Sequence, residues 1–127
     1  EGGIRVPTIA RWPGKIKPGR TSGHPSAFWD FLPTACELVG IESPKDIDGI
    51  SYLPELLGNT EDQKKHEYFY WIWAVRVGKW KLHPAGKDRY RLYDLEKDIG
   101  EKNDLAKEFP EVVERCSKYF QIAKMKK

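Results

Sequence analysis

Hydrophobic and polar positions follow two different rhythms along the chain. In FWDFLPTACELVG, from Phe28 to Gly40, Leu32, Ala35, Cys36 and Val39 stand at i, i+3, i+4 and i+7, the spacing of one buried helix face. Asp30 reads as the N-cap, Pro33 is tolerated in the first turn, and Gly40 is a C-terminal stop. Beyond Glu67 the helical rhythm gives way to short, aromatic, β-prone runs, HEYFYWIW, AVRV, KWKLH and YRLYDL, which predict a small antiparallel sheet. Val75 and Val77 take one parity and Trp80 and Leu82 the other, a switch that a two-residue Gly78-Lys79 turn absorbs. Pro84 to Asp88 makes the next turn. After Asp94 the pattern predicts a turn, a short helix and a final helix begun by Pro110. Its stripe is Val112, Val113, Cys116, Tyr119, Phe120 and Ala123, fit to cover one face of the sheet. Glu111 and Glu114 stand early on that helix and Lys124, Lys126 and Lys127 late, as the macrodipole favours.

The first part of the chain is less regular. EGGIRVPTIARWPGKI opens on two glycines suited to a turn, and Val6 to Arg11 reads as a strand. The dense Pro and Gly of PGKIKPGR make a surface loop. IESPKDIDGISYLPELLGN then runs through an Asp48-Gly49 turn into a short apolar helix near Leu53 to Leu57, and the charged TEDQKK separates two halves. A chain that opens inside a loop-to-strand turn is expected to be a cut piece of something larger. Its first strand would then join a larger sheet, and exposing that edge invites self-association.

Composition narrows the classes. With 127 residues, 39% hydrophobic and 13% aromatic, the chain has enough apolar surface for one modest core. Its 22 basic and 19 acidic residues are interspersed, so the net charge of +3 creates no broad field for nucleic acid. No run approaches the roughly 20 apolar residues of a membrane span, and no signal-peptide pattern stands at the front. Cys36 and Cys116 both fall on apolar helix stripes, where burial as small hydrophobes is the simplest reading.

Candidate chemistry is sparse. His24, His66 and His83 are scattered, without the paired spacing of a metal site. Glu61-Asp62 or Asp46 with Asp48 could meet a hard cation, but Asp48-Gly49 is more simply a turn. There is no nucleophile elbow and no phosphate-cradling Gly-rich loop, so no catalytic residue is assigned. The aromatic run Tyr68 to Trp73, with Trp80, Tyr90 and Tyr93, could stack sugars or bases, although packing of a small sheet accounts for the same residues.

Several stretches, in order, resemble the C-terminal part of the sulfatase family, the arylsulfatase-like branch of the alkaline-phosphatase superfamily. Glu1 to Ile16 resembles that family's E-G-G-x-R-V-P entry and W-P-G-x-I loop, and Trp29 to Ile41 its D-x-x-P-T helix. Asp48 to Asn59 is similar to its D-G-x-S-x-x-P-x-L-x-G segment. HEYFYW, AVRVGKWKL and RLYDLEKDIGEKNDLA resemble its last strands and its L-Y-D-L-x-x-D-x-x-E-x-x-N-L-A stretch. One departure is that YWIW runs straight into AVRV, where the family often carries a longer glycine-containing loop.

The resemblance implies an α+β fold. A small antiparallel sheet of about four strands is packed by a C-terminal helix and preceded by a strand-loop-helix segment from the end of an alkaline-phosphatase-like α/β domain. It divides the chain at residues 1–66, the tail of the catalytic domain, and 67–127, the sheet and helix. It implies a parent enzyme that hydrolyses sulfate esters with a formylglycine, made from Cys or Ser in a C/S-x-P-x-R motif, and a divalent cation, usually calcium. That motif is absent here, since Cys36 lies in TACEL and Cys116 in ERCSK, and the family's metal-holding residues match nothing in this sequence. The chain is therefore expected to be inactive alone and to partner the rest of its parent, which would bind the sulfate ester. Glu1, Gly2 and Gly3 would edge the parent's site, behind a lysine that binds the sulfate. Arg5, Trp73, Arg76 and Trp80 are candidates to border the substrate cleft, with a structural ion pair the simpler role for Arg5. Many bacterial relatives with this pattern are exported to the periplasm or cell surface. Two other readings remain: a free-standing module that binds sulfated carbohydrate through Arg, Lys and exposed aromatics, and a piece of a related phosphoesterase or phosphonate hydrolase.

Overall fold

A computed structural model describes residues 1–87 and 89–125. The chain divides into two compact units: Pro7–His66, and Glu1–Val6 together with the residues from Glu67 on.

In the second unit four strands, β1 (Phe69–Trp71), β2 (Ala74–Val77), β3 (Trp80–Pro84) and β4 (Tyr90–Asp94), form an antiparallel meander in the order β1-β2-β3-β4. Pairing of Val77 with Trp80 leaves Gly78-Lys79 as the two-residue turn that the parity switch predicts. Gly78 takes φ 58°, which a hairpin turn needs at its first central position and which side chains resist. The β1–β2 connection is equally short, with Trp71 opposite Ala74 and only Ile72 and Trp73 between them. Ala85 N–H donates to Arg89 O at 2.7 Å across the third turn. Asp88, expected in that turn, lies outside the described residues.

The final helix, here α3 (Pro110–Met125), begins at Pro110, where a missing N–H costs nothing. Its Val112, Cys116 and Phe120 pack with Val75, Leu82 and Leu92 into the core. The three strand residues are fully buried, and each such aliphatic side chain contributes about 1.5–3 kcal/mol. Tyr70 meets Phe120 edge-on at 5.5 Å, and Trp80 packs on Phe109 at 5.2 Å. The dipole role expected of Lys124, Lys126 and Lys127 falls outside the described residues and side chains.

The short helix expected before Pro110 is a single turn, in which Glu108 and Phe109 N–H return to Leu105 O at 3.0 and 3.1 Å. One turn alone does not repay helix nucleation. The same segment covers the free edge of β4: Leu105 N–H donates to Leu92 O at 2.8 Å, and Leu92 N–H donates to Asp104 Oδ1 at 3.1 Å.

In the Pro7–His66 unit a 3-10 turn, Phe28–Asp30, runs into α1 (Phe31–Val39), and α2 (Leu53–Leu57) follows where the apolar turn predicts it. Gly40 ends α1 as expected. The buried face differs from the predicted stripe: Pro33, Thr34 and Cys36 are buried, while Leu32 and Val39 are 50% and 66% exposed. Hydrogen bonds set that rotation. Thr34 Oγ1 donates to Asp30 O at 2.6 Å and accepts from Tyr52 N–H at 3.0 Å, which turns the threonine side of the helix inward.

Val6 to Arg11 is not a strand; Val6 and Ile9 are 75% and 92% exposed, and none of the four strands pairs with the segment. β-prone residues favour an extended backbone, but a strand exists only with a partner ladder.

Candidate functional site

The sheet has a second covered face. Register pairs Phe69 with Arg76, Arg76 with Lys81, and Lys81 with Tyr93, so these four share the face away from α3. Phe69 and Tyr93 are buried there, and Lys81 is only 3% exposed. A buried lysine needs partners, and Lys81 has two. Its Nζ lies 2.9 Å from Glu1 Oε1 and 2.7 Å from Glu101 Oε1. The amino group of Glu1 also donates to Glu101 Oε1. His83, two residues along β3 on the same face, brings Nε2 to 2.8 Å from Glu101 Oε2, a contact off hydrogen-bond geometry.

Local structure delivers Glu101 to this point. The turn after β4 is held by Asp98 N–H to Asp94 O at 2.7 Å and by Glu101 N–H to Asp98 O at 3.2 Å. The Asp98 carboxylate then accepts from the N–H groups of Lys102 and Asn103, both at 2.7 Å. Glu101 itself sits at φ 54°, in the left-handed region that a residue with a side chain enters only when its surroundings fix it there. At the start of this turn Asp94, also buried, accepts from Lys79 Nζ at 2.8 Å. That hydrogen bond is the main cause holding the Asp94 carboxyl below its ordinary range.

The electrostatics of the cluster favour permanent charge. Burial works against the Glu101 carboxylate, yet hydrogen bonds from Lys81 and the Glu1 amino group outweigh it and lower its pKa to about 2. Burial likewise disfavours the Lys81 ammonium, and the two carboxylates overcome it, leaving the pKa raised. A lysine kept charged is not a nucleophile, and a carboxyl ionised down to such acidity is not a general acid near neutrality. The arrangement holds groups in place.

Among the described residues no group of three or more His, Cys, Asp and Glu is placed to hold a metal ion. The cluster's two carboxylates already face an ammonium, so a divalent cation would meet like charge there. These residues do not fit the cation that the family resemblance implies.

The Pro7–His66 unit has its own buried acid. Asp30, 1% exposed, accepts from Ala27 N–H at 2.7 Å and from Ile50 N–H at 2.9 Å, and its Oδ1 lies 2.7 Å from His66 Nε2. It stands at the N-cap position of α1, as the sequence suggests, but makes no side-chain cap bond; the carboxylate binds the chain at residues 27, 50 and 66 instead. The Asp48-Gly49 turn comes so close that a Cβ at Gly49 would lie 2.3 Å from Trp29 O. Burial pushes the nearby His24 imidazole below its ordinary value, against the opposing pull of Glu55 and Asp30.

The residues expected at a parent's cleft do not converge in the second unit. Val77 pairs with Trp80, so Trp80 lies on the α3 face, whereas Arg76, one residue away, lies on the opposite face. Lys79 Nζ sits 4.8 Å over the Trp80 ring, and Arg76 Nε donates to Gly78 O at 2.9 Å. Trp73 occupies the β1–β2 tip, 76% exposed, at the other end of β2 from Trp80. Glu1, Gly2 and Gly3 form a turn with Arg5, whose N–H donates to Glu1 O at 2.9 Å. Sequence reasoning singled out Glu1 but missed Lys81, Glu101 and His83. The available signal was aromatics at both parities of the strands, Tyr70 on one and Phe69 and Tyr93 on the other, which implies a sheet covered on both faces.

Comparison with known proteins places these features. The family described as N-sulphoglucosamine sulphohydrolase, C-terminal, matches residues 1–125. Human arylsulfatase D is 38% identical over 68% of this chain and 18% of its own. N-acetylgalactosamine-6-O-sulfatase of Bacteroides thetaiotaomicron is 33% identical over 98% of this chain and 28% of its own. A solved structure titled for the metabolism of multiple glycosaminoglycans by Bacteroides thetaiotaomicron superposes with a TM-score of 0.65 at 30% identity, covering 91% of this chain and 28% of that one. The chain thus spans less than a third of the length of these relatives.

Proposed function

The chain belongs to the sulfatase family as its C-terminal part, and on that premise we propose that it completes a sulfuric-ester hydrolase whose reacting groups lie in preceding sequence. The observation that supports this most is the match along residues 1–125, which runs from the Glu1-Gly2-Gly3 turn through the sheet to α3. In this reading a formylglycine and a divalent cation, calcium in the first instance, belong to the parent, where they supply the nucleophile and stabilise charge on the transferring sulfate group. The substrate is a sulfate ester, and the remainder of the parent is the chain's first partner. In this reading residues 1–66 finish the parent's α/β domain and residues 67–127 form its terminal subdomain, with Glu1–Val6 grouped on the sheet side of that division. In the same reading Glu1 to Gly3 and Arg5 stand at the edge of the site, and Trp73, 76% exposed, is an aromatic candidate to meet substrate. A parent exported to the periplasm or cell surface fits the same reading.

The test is to read the gene in frame upstream of the Glu1 codon, express the whole open frame, and assay hydrolysis of 4-methylumbelliferyl sulfate and of sulfated glycosaminoglycan disaccharides. A C/S-x-P-x-R motif with calcium-dependent sulfate release is the expected result. A start codon close to Glu1, or a whole protein that releases phosphate and no sulfate, overturns it. The isolated 127-residue chain should release no sulfate from either substrate. It should also self-associate at high concentration, because Val6, Ile9 and Phe28 are 75%, 92% and 94% exposed. Light scattering that stays monomeric there contradicts this.

A further inference from the structure

The Lys81 cluster is an expensive way to cover a sheet. An ion pair taken out of water recovers its desolvation cost only with good geometry, and well-packed apolar residues usually serve as well or better. What the ions provide is specificity of placement, and three features here fit that use. Lys81 lies on β3, an inner strand of the meander, and is almost wholly buried. Glu101 is held in a left-handed conformation by a turn whose own N–H groups are engaged by Asp98 and Asp94. Glu1 is held by both of these points, and the backbone bonds of the segment it begins, Ile4 N–H and Arg5 N–H, both return to Glu1 O.

We propose that Lys81 is a positioning residue: with Glu101 it clamps Glu1 to the sheet, and so sets the course of the backbone that precedes Glu1 in the parent enzyme. The consequence for the parent rests on the sulfatase reading above; the clamp itself does not. The Glu1 nitrogen, an amino group here and a peptide N–H in a longer chain, is a donor to Glu101 in either case. The Lys81 contacts to Glu1 and Glu101 use side chains alone, so the clamp does not depend on a free amino group. Lys81 meets no substrate in this arrangement and acts only through Glu1.

Glu1→Gln in the 127-residue chain removes one carboxylate and leaves the Lys81–Glu101 pair, so the sheet stays folded. Amide exchange at Ile4 and Arg5 should then accelerate about tenfold or more, with exchange across β2, β3 and β4 unchanged. Lys81→Met should release the same amides, and Lys81→Arg should restore part of their protection. Unchanged exchange at Ile4 and Arg5 in both Glu1→Gln and Lys81→Met overturns the clamp. In the whole parent, Glu1→Gln should raise exchange in the residues immediately before Glu1 and lower kcat severalfold at unchanged melting temperature. Released Ile4 and Arg5 with no change upstream of Glu1 overturns the positioning role. A wild-type parent without sulfatase activity refutes the sulfatase reading, and the exchange data still decide the clamp.

Discussion

Each of the two units is stabilised internally in a different way. In the sheet unit, Val75, Leu82, Leu92, Cys116 and Phe120 are buried in one continuous apolar core, and its buried polar groups, Lys81 on the far face and Asp94 at the end of β4, are held in ion pairs. In the Pro7–His66 unit the most buried side chains include Asp30, Thr34 and Gln63, while Phe28, Phe31, Leu32 and Val39 face solvent. Gln63 accepts from Glu55 N–H at 3.0 Å and donates to Ser51 O at 2.9 Å, doing for α2 what Asp30 does for α1. The sheet unit is driven by apolar burial, which needs no exact geometry. The Pro7–His66 unit is organised by hydrogen bonds that need it, and several of its large apolar side chains stay exposed.

This contrast can be broken by substitution. The largest effect is expected from Leu82→Ala, which empties a fully buried site and should cost about 2–5 kcal/mol. Urea unfolding followed by amide signals should show the sheet unit losing stability; an equal loss across Pro7–His66 would mean that the two units unfold as one. Asp30→Ala should act the other way round. It leaves the partly buried N–H groups of Ala27 and Ile50 without their acceptor, at up to about 1–3 kcal/mol for each donor left unsatisfied. Asp30→Asn, which keeps an acceptor oxygen, should recover part of that loss.

Acid sharpens the comparison further. The folded pKa of Glu101, about 2, lies below its ordinary 4.5, so the cluster's contribution is complete above the higher value and disappears as pH falls toward the lower. A titration from pH 5 to about pH 2, followed by the Lys81 and Glu101 side-chain signals, should show the cluster opening before the apolar core is lost. Simultaneous loss of both would place the core under the cluster's control. The smallest effect is expected from Gly78→Ala, about 1 kcal/mol for a side chain at positive φ, confined to the β2–β3 hairpin. Thermal melting checks it.

Much of the sheet unit was legible because its signals are local. The Gly78-Lys79 turn, the parity of Val75, Val77, Trp80 and Leu82, and Pro110 at the head of an amphipathic run each state their structure within a few residues. The extent of α1, from Asp30 to Gly40, was legible for the same reason. Its orientation was not, because the rotation depends on Thr34 reaching Tyr52 across 18 residues. Val6 to Arg11 carries strand propensity, but pairing is decided elsewhere in space. Lys81 was hidden most completely, since an alternating strand assigns a lysine to solvent and its partner Glu1 is 80 residues away.

The meander has one more consequence, for how such a subdomain diversifies. Each strand pairs with its neighbour in sequence, so every hairpin is closed by its own tip and none by a distant crossing. At the Ile72-Trp73 tip, lengthening the connection costs only the slow logarithmic entropy of loop closure, about 0.6 kcal/mol per doubling, while the pairing of Trp71 with Ala74 stays as it is. That tip is a natural grafting point, where loops of different length and chemistry can be exchanged on an unchanged scaffold.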